Sequence, residues 1–256
     1  MLTFLLICSL AFSAVEDTVV AAANPDISEQ QRRAAFNQLT RDYQADRHQL
    51  ETLLFNQSGD ARQRWVTARA LGHTRSPQAK QALLKLCDDP MPAMRAAAAG
   101  GLGDLGYADT SPRVAELLTD PAIMVRGAAA DALGLIGNQS AAPALEAALR
   151  DTSNFYRDQS LWVRVHYVNA LGEIAAPSSI DALVKTLDDA DTAVVDAALV
   201  ALRKTVGYDF AEGRSRAQHI EAWRRWWAAS TAAWGRWGRR ALAVRWARRR
   251  TPSSNR

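Results

Sequence analysis

The sequence predicts an all-α protein, an α-solenoid of about five helix pairs with a helical cap at each end. Leu71, Leu102, Leu133, Leu171 and Leu202 recur at intervals of 31, 31, 38 and 31 residues. Arg64, Arg95, Arg126 and Arg164 keep the first three intervals, and Asp89, Asp120, Asp151 and Asp189 do so again. Chance does not insert seven residues into three series at the same place, so the chain is built of repeats. No segment alternates polar and apolar residues as a half-buried strand does. With 48% hydrophobic and 23% charged residues, there is ample material for a continuous core.

The chain opens on the 14-residue apolar run LTFLLICSLAFSAV, which Glu16 and Asp17 stop. The run is too short to span a bilayer, and the small residues of Ala11-Phe12-Ser13 suit a signal peptidase. Residues 1–14 therefore read as a signal peptide and the protein as exported, periplasmic or secreted. No Lys or Arg precedes the run, which leaves a cytoplasmic chain as the alternative. Cys8 follows Leu5-Leu6-Ile7, an approximate lipoprotein box with bulky Ile7 where a small residue belongs. The remaining cysteine, Cys87, ends an apolar run and reads as a buried thiol.

Residues 27–57 form the N-terminal cap. Ile27, Phe36, Leu39, Tyr43, Leu50 and Leu54 lay an apolar stripe along a helix whose other face is polar. Residues 58–207 are the repeats, and each reads as two helices. SPQAKQALLKLC and APALEAALR carry helical apolar spacing, and Ser76-Pro77 suits a helix start. Asp89-Pro90 and Asp120-Pro121 then break the chain before an Ala-rich second helix that closes at Gly106 or Gly137.

The lines DPMPAMRAAAAGGLGDLG, DPAIMVRGAAADALGLIG and LWVRVHYVNALGEIA resemble HEAT repeats, in particular the short bacterial kind of the phycobilisome lyases. That resemblance implies a ladder between neighbouring repeats, formed by the aspartate of the turn and the arginine six residues later. Asp89 and Arg95, and Asp120 and Arg126, keep the spacing, with Asp151 and Arg164 as the third set across the insertion. It also explains why an apolar helix keeps a charge at Arg126: a guanidinium can satisfy an aspartate and turn carbonyls at a repeat junction. An arginine that recurs in every repeat is a strut before it is a catalytic group. Ser58 replaces the aspartate in the first unit and Val195 the arginine in the fifth, as terminal repeats allow.

The sequence holds no catalytic constellation. His48, His73, His166 and His219 are scattered, with no metal-ligand spacing, and the glycines at 100, 101, 103 and 106 lie in a helical line without a phosphate-loop context. No enzyme activity, cofactor or metal is expected. By family analogy alone, lyase-like chromophore handling is an alternative, which a leader peptide fits poorly.

Binding is the expected use. Second helices line a concave surface, and five layers at 8–10 Å spacing give a groove roughly 40–50 Å long. The positions one and five after each ladder arginine face it: Trp65 and Arg69, Ala96 and Gly100, Gly127 and Asp131, Val165 and Asn169, Asp196 and Val200. A flat, small-sided floor beside Trp65 and Arg69 suits a protein or peptide partner, although Ala96 and Gly100 are equally consistent with close helix packing. The insertion DTSNFYRDQSLW brings Phe155, Tyr156 and Trp162, which with Asn169 extend the candidate partner site. Trp162 packing under its own helix is the competing reading.

The C-terminus is chemically distinct. From Gly213 onward there are twelve arginines and one acid, a charge of +11 against −7 for the rest, and six of eight tryptophans fall between Trp223 and Trp246. Residues 208–229 read as a Trp-rich cap, with Ile220, Trp223 and Trp227 spaced to cover the open end of the stack. Residues 230–256 form a basic Arg/Trp tail in which Arg236, Arg239, Arg240, Arg245 and Arg248 suit an anionic membrane surface. That gives a membrane- or polyanion-associated adaptor as the alternative function. Nucleic acid is a poor candidate partner for an exported chain with no base-reading motif.

Overall fold

The computed structural model describes residues 14–210 and 215–237. Helix α1 covers 14–23, and the α2 helix Glu29–Phe55 follows it. Four helix pairs then stack on α2 and its partner α3 (Ala61–Gly72). They are α4 (Pro77–Leu86) with α5 (Pro92–Leu105), α6 (Ser111–Glu116) with α7 (Ile123–Ile136), α8 (Ala142–Arg150) with α9 (Val163–Ile174), and α10 (Ile180–Thr186) with α11 (Thr192–Val206). Helix α12 (Arg216–Trp237) closes the far end. The second helices pack in series, α3 on α5, α5 on α7, α7 on α9 and α9 on α11, so the molecule is an all-α solenoid of five pairs among the described residues.

Local chemistry starts and stops these helices. Ser28 and Gln31 form a capping box at α2, Asp60 caps α3, and Ser76 caps α4 ahead of Pro77. Gly106, Gly137 and Gly207 end α5, α7 and α11 with φ of 69°, 69° and 75°, the left-handed turn that glycine adopts without a Cβ penalty. At the end of α9 Ala175 takes this conformation instead, at φ 50°.

The core runs through the stack without interruption. Its floor is the repeated leucines, and the glycine after four of them sets how closely repeats approach. A Cβ on Gly72 would lie 2.7 Å from the Cα of Gly101, one on Gly103 2.7 Å from that of Ala132, and one on Gly172 2.8 Å from that of Ala201. These second helices touch backbone to backbone. The last leucine, Leu202, is followed by Arg203, where no further repeat stacks.

Both ends are covered. Val15, Val19, Ala22 and Ala23 of α1 are buried against the first pair; residues 1–13 of the expected leader lie outside the described residues. At the other end Trp223 is wholly buried, with Phe210 edge-on at 4.7 Å and Trp226 at 5.5 Å. Trp227 donates its indole N–H to Asp181 of α10 at 3.1 Å, and Arg224 pairs with Asp188. The helix continues through residues 229 and 230, where the sequence suggested a boundary. Arg236 falls within α12, whereas Arg239, Arg240, Arg245 and Arg248 lie outside the described residues.

The inserted segment departs from the all-helical expectation. After a 3-10 turn at Thr152–Asn154, Phe155–Tyr156 pairs with Gln159–Ser160 in a two-residue antiparallel hairpin. Arg157 and Asp158 turn it with φ of 48° and 62°, so both central residues are left-handed, as a tight hairpin twist demands.

Candidate functional site

The arginine ladder lies along the edge formed by the turns within each pair. Arg64 pairs with Asp89, both almost fully buried, and its Nε donates to the Leu54 carbonyl at 2.8 Å. Arg95 donates to both carboxylate oxygens of Asp120, at 2.7 and 2.9 Å, and to the Asp89 and Pro90 carbonyls at 2.9 and 3.1 Å. Arg164 holds Asp189, and its Nε reaches the Leu149 carbonyl at 3.1 Å. Each rung thus spans 25 residues, from an arginine to the aspartate of the next repeat's turn, while at Arg95 the six-residue spacing joins the arginine to the backbone of its own turn at Asp89.

The rung between Arg126 and Asp151 is open, which corrects the sequence assignment of these two residues to the ladder. Arg126 donates to the Asp120 and Pro121 carbonyls, at 2.9 and 3.4 Å, yet its buried Nε meets no acceptor. Asp151 instead accepts the Ser153 amide at 2.8 Å. The insertion follows directly, between Asp151 and α9, and there buried Asn154 meets Tyr167, whose hydroxyl reaches the Asn154 side chain at 3.4 Å.

These contacts set the carboxylate equilibria. Burial pushes Asp120 upward, but hydrogen bonds from the Arg95 guanidinium and the Ala122 amide outweigh it, and the carboxyl sits below its ordinary value. Asp189 behaves likewise, with Arg164 and the Asp191 amide overcoming burial. Burial, with the nearby Asp88 and Glu116 carboxylates adding to it against Arg113, pushes the Cys87 thiol up to about 11, so it is a thiol at neutral pH.

The concave face holds the candidate binding site. Trp65 and Arg69 of α3, Ala93, Ala96, Ala97, Gly100 and Asp104 of α5, and Met124, Ala128, Asp131, Ala132 and Leu135 of α7 line a cleft of about 480 Å³. Its floor is alanine and glycine, whereas Trp65, Met124 and Leu135 stand 44%, 48% and 65% exposed around it. Two of the small positions are small because a neighbour's side chain covers them. A Cβ on Gly100 would lie 2.6 Å from the Arg69 Nη1, and one on Gly127 would lie 2.8 Å from the outer ring edge of Trp162. Close packing and an open groove therefore both apply, at different residues.

The candidate partner residues fall into two places. Trp65 and Arg69 share the cleft, where Arg69 is held by Asp104 at 2.9 Å. Trp162, the half-exposed N-cap of α9, and Asn169 within that helix lie farther along the same face, so Trp162 does not pack beneath its helix. Phe155 and Tyr156 are elsewhere, at the ladder edge: Phe155 covers the Arg164 guanidinium at 4.3 Å and lines a separate hollow of about 310 Å³ with Asp189 and Asp191. Met124, Leu135 and His166 were not placed on the groove by sequence reasoning, whereas Asp131 was, as the position five after Arg126. The signal available was their helical spacing from Arg126 and Arg164, which places them on the inner face.

The family profile for HEAT repeats matches residues 48–121 and 82–162. The two matches together span residues 48–162, so this segment of the chain is built of HEAT repeats. No curated protein matches it in sequence. Among solved structures, a mutant of Kap121p is similar over 75% of this chain and 25% of its own length, with 16% identity and a TM-score of 0.53. The complex of CpcE and CpcF of phycocyanin lyase from Nostoc sp. PCC7120 is similar over 82% of this chain and 92% of its own, with 19% identity and a TM-score of 0.45. A designed armadillo repeat protein in complex with the peptide (KR)4 is similar over 74% and 98%, with 17% identity and a TM-score of 0.44. The repeat fold is what the Kap121p likeness shows, and repeat scaffolds of this kind commonly bind proteins or peptides along the concave face.

Proposed function

We propose that this protein is an exported, non-enzymatic HEAT-repeat scaffold that holds a protein or peptide partner across the concave cleft between Trp65 and Trp162. The observation that carries the reading is the ring of exposed apolar side chains, Trp65, Met124 and Leu135, around an alanine–glycine floor. Folded proteins seldom keep contiguous apolar surface without a use for it, and large side chains beside a shallow floor suit an inserted anchor from a partner. A peptide library selected on the mature protein tests this. Selected peptides should lose at least about tenfold in affinity, ~1.4 kcal/mol, with Trp65→Ala or Ala128→Glu while the melting temperature holds. Peptides indifferent to both variants would place binding on another surface and overturn the reading.

Export is part of the same proposal. Cleavage after Ser13 or Ala14 keeps buried Val15 and Val19, whereas cleavage within residues 15–23 would remove one or both. Mass spectrometry of the native protein should therefore find Ala14 or Val15 as the first residue, and an intact Met1 in a cytosolic fraction refutes export. A second reading rests on the +11 charge from Gly213 onward, as an adaptor for anionic surfaces. Deleting residues 238–256 should then abolish salt-sensitive binding to anionic vesicles, and equal binding by both chains excludes it.

A further inference from the structure

At the end of the cleft, four residues of two neighbouring helices make a closed arrangement. On α7, Gly127 and Asp131 lie four residues apart, one above the other on the helix face; Trp162, the N-cap of α9, and His166 in its first turn are likewise four residues apart. The outer edge of the Trp162 ring rests on Gly127, and His166 Nδ1 is 2.7 Å from Asp131 Oδ1. The two rings meet edge to face, with centroids 5.0 Å apart and planes at 74°. Trp162 is half exposed, so its position depends on these few contacts rather than on burial. Asp131 also lines the cleft, which joins the arrangement to the proposed binding surface.

We propose that Asp131 and His166 form a proton-operated latch that holds Trp162 down on Gly127 and so sets the end wall of the concave cleft. This rests on the cleft being the binding surface for its consequence, though not for its mechanism. The hydrogen bond that the imidazole donates to the Asp131 carboxylate outweighs burial and holds His166 above its ordinary value of 6.5. Other charged groups on the packed helices are engaged elsewhere. Arg126 of α7 faces the Asp120 and Pro121 carbonyls, and Arg164 of α9 holds Asp189. On the far side, Asp196 of α11 is bound by Arg216 at 2.8 Å, and Lys204 of α11 pairs with Glu173 of α9.

The direction follows from the raised folded-state value. Below 6.5 the imidazolium–carboxylate pair is fully formed and the latch is closed. As pH climbs through the folded-state value the charge is lost, the pair weakens to a neutral hydrogen bond, and Trp162 is released from the Gly127 face. A preorganised wall costs a partner less ordering than a mobile one, so the acid form is the binding form.

Nuclear magnetic resonance of the full chain reads this directly. The Trp162 indole signal, assigned through Trp162→Phe, should move between about pH 5.5 and 8.5 with the midpoint of the His166 ring signals. That midpoint should fall in Asp131→Asn, and the indole shift should vanish in His166→Gln, with the melting temperature confirming that both variants fold. An indole signal that stays flat while His166 titrates, or a His166 midpoint untouched by Asp131→Asn, overturns the latch. Peptides selected on the cleft should bind severalfold more weakly at the upper end of the range. Binding that is lost in Trp65→Ala yet constant with pH would refute the wall while leaving the cleft intact as the binding surface.

Discussion

Arg95 holds Asp120 with two hydrogen bonds, at 2.7 and 2.9 Å, across the junction between the second and third helix pairs. One repeat farther on, Arg126 makes the same contacts to its own turn and none to Asp151. The two arginines therefore differ by one stranded carboxylate. Removing Arg95 leaves buried Asp120 without its cation, and breaking such a pair costs about 3–5 kcal/mol. Arg95→Met should lower the denaturation midpoint well beyond Arg126→Met, and Arg95→Lys should restore only part of the loss. Equal losses for the two Met variants would show that the carboxylate contact contributes nothing.

Acid sensitivity follows from the same rungs. Asp120 and Asp189 sit below the ordinary carboxylate value of 3.8 in the folded chain, so their contribution is present above that value and is lost as pH falls through the lower, folded-state value. Thermal melts should show stability dropping below about pH 4. In Asp120→Asn the drop should be shallower and start from a lower plateau; an unchanged slope would remove Asp120 from the account.

The glycines of the inner helices separate packing from binding. At Gly103 an added methyl meets the Ala132 backbone, which cannot yield without moving the next repeat. Gly103→Ala should therefore destabilise by about 1–3 kcal/mol, the usual range for overpacking. At Gly127 the methyl meets only the outer ring of Trp162, which can swing away. Gly127→Ala should barely change the melting temperature while shifting the Trp162 indole signal, and a Gly127→Ala loss as large as that of Gly103→Ala would contradict this division.

Ala175 offers a gain. It ends α9 at φ 50°, where the other long second helices α5, α7 and α11 use glycine. A left-handed conformation costs an L-residue roughly 1–2 kcal/mol, less the entropy glycine adds to the unfolded chain. Ala175→Gly should raise the melting temperature slightly, and a decrease would show that the methyl packs usefully.

Trp223 anchors α12, with no exposed surface and Phe210 and Trp226 against it. Trp223→Ala should cost about 3–5 kcal/mol and expose the last repeat to apolar dyes. An unaffected melting temperature would mean that α12 rests on the stack without supporting it.

Much of this architecture was legible because repeats make the sequence report each contact several times. The period, the turn aspartates, the arginines and the closing glycines all recur, and the cap at Trp223 follows from spacing. What was hidden depends on contacts that occur once or span repeats. The 25-residue register of the rungs is a distance between repeats, which spacing within one repeat does not reveal. Trp162 on Gly127 joins residues 35 apart across the one irregular interval. The hairpin is two residues per strand, too short to alternate, and turns on Arg157-Asp158 rather than on glycine. Helix α1 was hidden by its neighbour, since Val15 belongs to the leader-like apolar run and Val19 follows just past Glu16 and Asp17.

The glycines that follow the repeated leucines fix more than contact distance. A stack of paired layers bends toward whichever side has the smaller pitch, and here the inner pitch is set where main chains touch at Gly72, Gly103 and Gly172. Side chains on the outer helices can change volume and alter the outer pitch, but the inner one is already at van der Waals contact between main chains. The curvature of the arch, and with it the opening presented to a partner, is accordingly adjusted from the convex side, by residues that no partner in the cleft would touch.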